Sequence, residues 1–234
     1  MADIKYKLVY SRRRTVSIIV SPVNGVTVRA PYRTSLKSIE KYVGEKSHWI
    51  LKHIDKQSGL IRLNEDKEYT GGESFLYLGR KIFLKIAGSA KSFVRTDGEN
   101  LEAGSPHPED RAKIRSMIIK WYLAEAKSMI RAEATALLEK YKNYNFYPSL
   151  FVVKKLKSRW GSCSSKGVIT ISSELIKLDP KFTRYVITHE LCHLKHHNHG
   201  KEFYLLLAEL LPDYKSIRKE LRRYITEQTV PSVV

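Results

Sequence analysis

Cysteine is scarce in this chain. Cys163 and Cys192 are the only two in 234 residues, too few for a disulfide scaffold and in keeping with a reducing compartment. No stretch of about 18 consecutive apolar residues occurs, so nothing reads as a membrane-spanning helix. The opening MADIKYKLVYSRRR has no apolar centre of the kind a secretion signal needs, and a cytoplasmic location is the expectation. Acidic residues are few beside basic ones, 24 against 42, for a formal charge of +18. An excess of that size draws polyanions, which makes nucleic acid and anionic phosphorylated substrates candidate partners. Lys and Arg are nevertheless spread along nearly every segment, with SRRR at 11–14 and RKELRR at 218–223 as the local clusters. A generic basic surface accounts for that spread equally well. Apolar residues make up 42%, enough to fill a core in one or two domains.

What is abundant is histidine, and in one place. Five of the eight histidines lie between His189 and His199, within THELCHLKHHNHGKEF at 188–203. His189, Glu190 and His193 form H-E-x-x-H. Four helical residues turn about 400° and rise about 6 Å, so the two rings leave one face and can share a cation. Glu190 is one position on, beside a metal and not on it, where a general base for metal-activated water must stand. Phe182, Tyr185, Val186, Ile187, Leu191 and Leu194 supply the apolar spacing of a buried helix around the motif. Cys192 points away from the two rings and reads as a small core residue.

A catalytic zinc takes three protein ligands and keeps one position open. His196 lies on the face of His189, but seven residues of helix separate them by about 10 Å, too far for a straight helix to bring both to one ion. Asn198 tolerates the left-handed conformation that ends a helix, so the chain is expected to reverse there and carry His199 back, with Gly200 allowing close approach. His199 is the favoured third ligand. Glu202 and Glu209, on the helix that resumes through Phe203, Leu206, Leu207 and Leu210, are the runners-up. His196 and His197 fall to supporting or surface positions, and His48 and His53, far away in sequence, read as surface histidines. Tyr204, Arg159 and His196 are candidates for stabilising an oxyanion.

Around the motif the chain alternates strand and helix. KYKLVY, TVSIIV and GVTVRA read as a three-strand meander turning at Asn24-Gly25 and ending at Pro31. One helix is expected from Ser35 to about Ile54, capped by Thr34 or Ser35. SFLYLG with KIFLKIA, and SFVRT with NLEAG, read as hairpins around Gly79-Arg80 and Asp97-Gly98. Gly104, Ser105, Pro106 and Pro108 mark the best boundary, giving a β-rich region at 1–104 and a second region at 105–234. Residues 109 to about 143 form a long helix expected to pack behind a sheet. Strands follow near Leu150–Leu156 and Gly167–Ser172, flanking a loop SRWGSCSSKG. Val168, Thr170 and Ser172 alternate with Ile169 and Ile171, and one edge of that sheet is expected over the metal. A short helix from Ser173 leads to Asp179 as cap and Pro180 at the first position of the motif helix.

SRWGSCSSKGVITIS followed by YVITHELCHLKHHNHGKEF resembles the YgjP-like (DUF45) metal-dependent hydrolases, relatives of the SprT and WLM zinc metallopeptidases, and the likeness extends over the whole chain. The resemblance implies an α+β fold with a zincin-like core of helix, sheet and helix in the C-terminal region. It also implies Zn²⁺ on His189, His193 and His199, with Glu190 as catalytic base, and the H-E-x-x-H-x5-H spacing is met. The expected activity is zinc-dependent hydrolysis, with a peptide or protein as first choice of substrate. Two alternatives stand beside it: hydrolysis of a nucleotide or other phosphorylated anion, and a basic nucleic-acid-associated protein with a closed, structural zinc site that enlists Cys163.

Overall fold

The computed structural model describes residues 4–21, 25–58, 61–63, 67–156 and 158–225. The fold is mixed α+β, with three small sheets, a two-stranded pair and six α-helices among those residues. The first layer holds strands β1 (Tyr6–Ser11), β2 (Ser17–Ser21) and β3 (Gly25–Pro31), then helices α1 (Leu36–Glu45) and α2 (Ser47–Ser58). The strands are not a meander. β3 is central, parallel to β1 and antiparallel to β2. The reason lies in β3 itself, whose Val26, Val28 and Ala30 are buried in alternation against Ile39, Val43 and Ile50 of the helices. The strand with the fullest apolar face takes the middle, where both of its edges are paired. Asn24 lies outside the described residues, while Gly25 takes the positive φ of 65° expected near such a turn.

Ser35 caps α1 by accepting from the Ser38 amide. The single helix expected here is two, because the chain leaves helical geometry at Lys46 (φ −97°, ψ 5°) after Gly44. Glycine is a poor helix former, and the break lets Ile50 as well as Ile39 and Val43 reach the sheet.

After the short strand β4 (Ile61–Arg62) come β5 (Ser74–Tyr77), β6 (Arg80–Gly88), β7 (Phe93–Thr96) and β8 (Asn100–Ser105), in sheet order β5-β6-β8-β7. Both expected hairpins form, and the first turns on Leu78 and Gly79, both with positive φ (50° and 79°). That turn is docked. Leu78 and Gly79 donate their amides to the carbonyls of Ile176 and Lys177, and a Cβ on Gly79 would stand 3.0 Å from the Asp179 nitrogen.

Helix α3 (Arg111–Lys140) starts on Asp110, which accepts from the Lys113 amide. Its Ile114 and Ile118 close the core under Ile82, Leu84, Leu101 and Ala103, and its Ala126, Ile130, Ala134 and Leu137 belong to the largest core, further along. One helix thereby serves two cores. The third sheet consists of β9 (Leu150–Lys154), β10 (Gly161–Cys163) and β11 (Val168–Ser172), in the order β10-β11-β9. β10 lies in the stretch expected to be loop. A 3₁₀ turn at Ser173–Lys177 leads to α4 (Pro180–Cys192), α5 (Lys201–Leu210) and α6 (Tyr214–Leu221), before β12 (Tyr224–Ile225) pairs with β4.

Candidate metal centre

The motif helix α4 is held from its start and along its length. The Asp179 side chain accepts from the Lys181 amide, with Pro180 at the first helical turn, as expected. Ten consecutive or near-consecutive residues from Phe182 to Cys192 are buried, so the helix runs through the core and not along the surface. Buried backbone is already satisfied within a helix, so only its polar side chains require an explanation.

Those side chains are the motif. His189 is 1% exposed and Glu190 is fully buried. The helix stops sooner than expected, at Cys192 with His193 as its C-cap, and Asn198 does not take a left-handed conformation. The reversal is spread over turns instead: Leu194 and Lys195 donate to the carbonyls of Leu191 and Cys192, and His196 donates to Cys192 as well. Gly200 is the N-cap of α5, and no atom lies within 4 Å of where its Cβ would be, so close approach is not its role.

The reversal brings His199 to His189. Their Nε2 atoms are 3.1 Å apart, and the ligand atoms of His189, His193 and His199 lie within 4.8 Å of one another. Two nitrogens bound at the usual length to one tetrahedral ion stand about 3.3 Å apart, so the pair is already near the edge of such a polyhedron. The Nδ1–H of His193 donates to the His196 carbonyl at 3.1 Å, which leaves its Nε2 lone pair for the site. His196 thus contributes through its backbone. Under the three rings lies Phe203, fully buried, 4.7 to 4.8 Å from each imidazole centroid.

Electrostatics agree with a cation site. Burial, then repulsion by His193, His199 and Arg218, pushes the His189 imidazole down to about 2. Burial lowers His193 and His199 too. Neutral imidazole with a free lone pair is the form that binds a metal. Burial pushes Glu190 up to about 8 against the pull of Arg159, and neither of its oxygens has a hydrogen-bond partner. His189 Nδ1 is also buried without one. A buried carboxyl without partners is costly in a finished core, and it fits a group reserved for something that enters the site.

Glu190 is covered by β10. At Gly161 a Cβ would come 2.5 Å from Glu190 Oε1 and 2.9 Å from Val186 Cγ1, so only glycine lets the strand pass. Beside it Trp160 is fully buried and its carbonyl accepts from the Ser172 amide. The sheet edge next to the histidines is therefore β10 and not β11. A cleft of about 390 Å³ runs along it, lined by Arg159, Gly161, Ser162, Cys163, Glu190 and the histidines 193, 197 and 199.

Other candidates stand apart. Among the described residues the metal-capable group holds three histidines and no cysteine; Cys163 lines the cleft, its thiol pushed up by burial and by Glu190. Glu202 is exposed, and Glu209 accepts from the Tyr144 hydroxyl at 2.7 Å. Cys192 is a core residue, as read. His53 hydrogen-bonds the Trp49 carbonyl and takes no part. Tyr204 packs 6.2 Å from the His199 ring and accepts from Arg218 Nη1 at 3.3 Å. Gly161, Phe203 and Arg218 are the residues of the site that sequence reasoning missed. SRWGS and RKELRR drew notice as a resemblance and as a charge cluster, without a role for either glycine or arginine.

The family model for the YgjP-like metallopeptidase domain matches residues 14–224. The UTP pyrophosphatase of Escherichia coli (strain K12) is 30% identical over 67 residues, which cover 29% of this chain and 40% of that protein's length. Two crystal structures of metallopeptidase zymogens also overlap it. Abylysin of Pyrococcus abyssi has 24% identity over 38% of this chain and 90% of its own, with a TM-score of 0.34. Jannalysin of Methanocaldococcus jannaschii has 23% identity over 39% and 92%, with a TM-score of 0.35.

Proposed function

The chain belongs to the YgjP-like metallopeptidase-domain family of metal-dependent hydrolases, and from that premise we propose that it is a zinc-dependent hydrolase of peptide bonds with Glu190 as general base. The catalytic part is residues 105–234, with 1–104 as the β-rich region before it. The observation that carries the reading is the convergence of three neutral imidazoles on one point, beside a buried carboxyl without partners. His189, His193 and His199 would hold the zinc, whose chemistry is to acidify water toward a pKa of about 7 and to polarise a carbonyl. Glu190 then accepts the proton of the attacking water and returns it to the leaving amine. Burial raises the carboxyl's affinity for that proton, and a cation held by the three histidines would keep it ionised until the water attacks.

Support for a peptide comes from β10. The register pairs Ser162 with Thr170, while the Ser172 amide bonds Trp160 and the Ser164 amide bonds Val168. By antiparallel alternation, the amides and carbonyls of Gly161 and Cys163 then point to the outer edge, along the cleft. An extended peptide can pair with such an edge.

A second reading, hydrolysis of a phosphoanhydride, is favoured by the Escherichia coli relative called a UTP pyrophosphatase and by Arg159 in the cleft. One series of measurements separates the two. The zinc-loaded protein is offered peptides and nucleoside triphosphates in parallel, with products followed by mass spectrometry. Glu190→Gln is expected to keep its zinc and lose turnover by on the order of 10²–10⁴-fold; activity surviving that change sinks the mechanism. In the same series His199→Ala should lose zinc while Glu202→Ala and Glu209→Ala keep it.

A further inference from the structure

The first sheet has one covered face and one open face. Tyr6, Leu8 and Tyr10 of β1, Ile18 and Val20 of β2, and Val26, Val28 and Ala30 of β3 face the helices and join their core. By alternation the opposite face carries Lys7 and Val9, Ser17 and Ile19, and Thr27 and Arg29. Lys7 and Arg29 are exposed there, and Ile19 keeps 40% of its surface in water. None of the three strands contains an acidic residue. Residues 4–58 hold twelve lysines and arginines against three acids, which places half of the chain's +18 in about a quarter of its length. The acids, Glu40, Glu45 and Asp55, belong to α1 and α2, behind the sheet, and Asp55 already has a partner.

The register puts the cations in order. Lys5, just before β1, and Lys7 within it stand two residues apart, and Arg29 of β3 lies level with Val9, two residues further on. Cations thus recur about every 6.6 Å along the open face. Beyond them the sheet ends, with Ser11 opposite Pro31 and Ser17 opposite Arg29. At that end lie Arg12, Arg13 and Arg14, in the link from β1 to β2, and Arg33, just past β3. All five arginines of the layer therefore gather at one end of one sheet. None of their side chains has an ion pair or hydrogen bond among the described residues, and the Nε of Arg13 is buried without a partner. Tyr32, 67% exposed, stands among them. Its turn is fixed by the Thr34 amide, which donates to the Pro31 carbonyl at 3.0 Å, and by the Tyr10 hydroxyl, which donates to the Thr34 carbonyl at 3.3 Å. Helix α1 opens beside that turn with no acid in its first turn, so its dipole adds to the positive potential.

A partner for such a surface is long, carries negative charge at regular intervals and offers flat groups. A small anion or a mononucleotide meets only one end of the track. An anionic membrane supplies charge, but neither a linear order to match the track nor a flat group for Tyr32. A single strand of nucleic acid supplies all three, with phosphates that pair with the forks of arginine and bases whose faces stack on an exposed ring. We propose that the open face of the first sheet and its arginine end bind single-stranded nucleic acid without sequence preference. The phosphates follow Lys5, Lys7 and Arg29 to the arginines at the end of the sheet, and a base lies on Tyr32. The track is about 20 Å long, room for a few nucleotides. The proposal does not rest on the reading of the metal centre.

The test is fluorescence anisotropy of a labelled oligothymidylate of about 15 nucleotides with the full chain. It is repeated with the RNA counterpart, with a duplex of the same length, and with vesicles of equimolar phosphatidylcholine and phosphatidylserine as competitor. Both single strands are expected to bind with a Kd of about 10⁻⁶–10⁻⁴ M at physiological salt, log K falling by about 0.7 per phosphate contact as log salt rises. Arg12→Glu, Arg14→Glu and Arg33→Glu combined should weaken binding by about tenfold or more and flatten that slope. The same number of reversals around α6, Lys215→Glu, Lys219→Glu and Arg223→Glu, should weaken it by less than about threefold, since salt screens distant charge. Lys5→Glu with Lys7→Glu, at the far end of the track, gives an independent loss. Tyr32→Ala should lose about fivefold or more with the slope unchanged, and Tyr32→Phe should keep the parent's affinity. All the substituted positions are exposed, so the variants are expected to keep the parent's circular dichroism and melting temperature. Equal losses from the two sets of three reversals, tighter binding of the duplex, displacement of the strand by the vesicles, or no binding at about 10⁻⁴ M chain would each overturn the proposal.

Discussion

Gly161 shows how one residue with no side chain can govern the chemistry of another. Glu190 is buried because a strand lies over it, and the strand can lie there because position 161 adds no Cβ. Gly161→Ala introduces a methyl 2.5 Å from Oε1 and must push the carboxylate, the strand, or both. The expected outcome is a folded, metal-binding protein whose turnover falls on the order of 10²-fold, since a displacement of about an ångström costs that much at a reacting centre. Turnover and metal content measured side by side check it, and unimpaired turnover would mean that the carboxylate position is uncritical. The approach of His189 and His193 was legible because H-E-x-x-H is a local pattern: four residues of helix set the ring separation with no help from the rest of the chain. His199 was reachable by elimination along the sequence, although the device assigned to it was wrong. Asn198 does not reverse the chain; a helix ending at His193 and three successive turn hydrogen bonds do.

At the scale of elements, the start of α4 is set from outside the helix. Asp179 and Pro180 define its first turn by local chemistry that any reader of the sequence could find. Its place in space depends on the Leu78-Gly79 turn, which bonds the carbonyls of Ile176 and Lys177 one step before the cap. Gly79 holds φ +79° with Asp179 backbone 3.0 Å from its absent Cβ, so Gly79→Val adds left-handed strain to a backbone collision. A loss of about 2 kcal/mol or more is expected, read as a lower urea midpoint, together with reduced activity because α4 carries the histidines. A variant as stable as the parent would show that the turn merely touches α4. The hairpin itself was legible from Gly79, but its docking partner, about 100 residues away, was not, since no local signal reports a contact at that separation. The same limit explains β10, whose three residues are too few for periodicity and which becomes a strand only through pairing with β11.

Across the whole molecule, α3 ties the β5–β8 sheet to the largest core, the one that contains the motif helix. Ile114 and Ile118 serve one core and Ala126 to Leu137 the other, so a division of the chain at residue 104 cuts through a shared packing surface. Residues 105–234 expressed alone are expected to be less stable than the full chain by about 3 kcal/mol or more, the order of burial for two isoleucine side chains. Comparison of urea midpoints decides it; equal midpoints would mean that the N-terminal sheet adds no stability to the catalytic part. The basic excess is likewise a property of the whole, and only the fold gathers part of it onto the open face of the first sheet and its arginine end.

What the sequence determined by itself is what short-range physics can specify. Helix periodicity, caps, turn residues and a histidine motif all act within about seven residues, and they announced the α+β elements and the motif helix. What only the tertiary structure decided is everything that depends on which distant segments meet. β3 took the centre of its sheet because its buried face needed two neighbours. Phe203 became the floor under three imidazoles, and a glycine in a short strand came to rest on Glu190. Such contacts are chosen by the shared exclusion of water and by close packing, which select among whole arrangements of the chain and leave no mark on any single stretch of it.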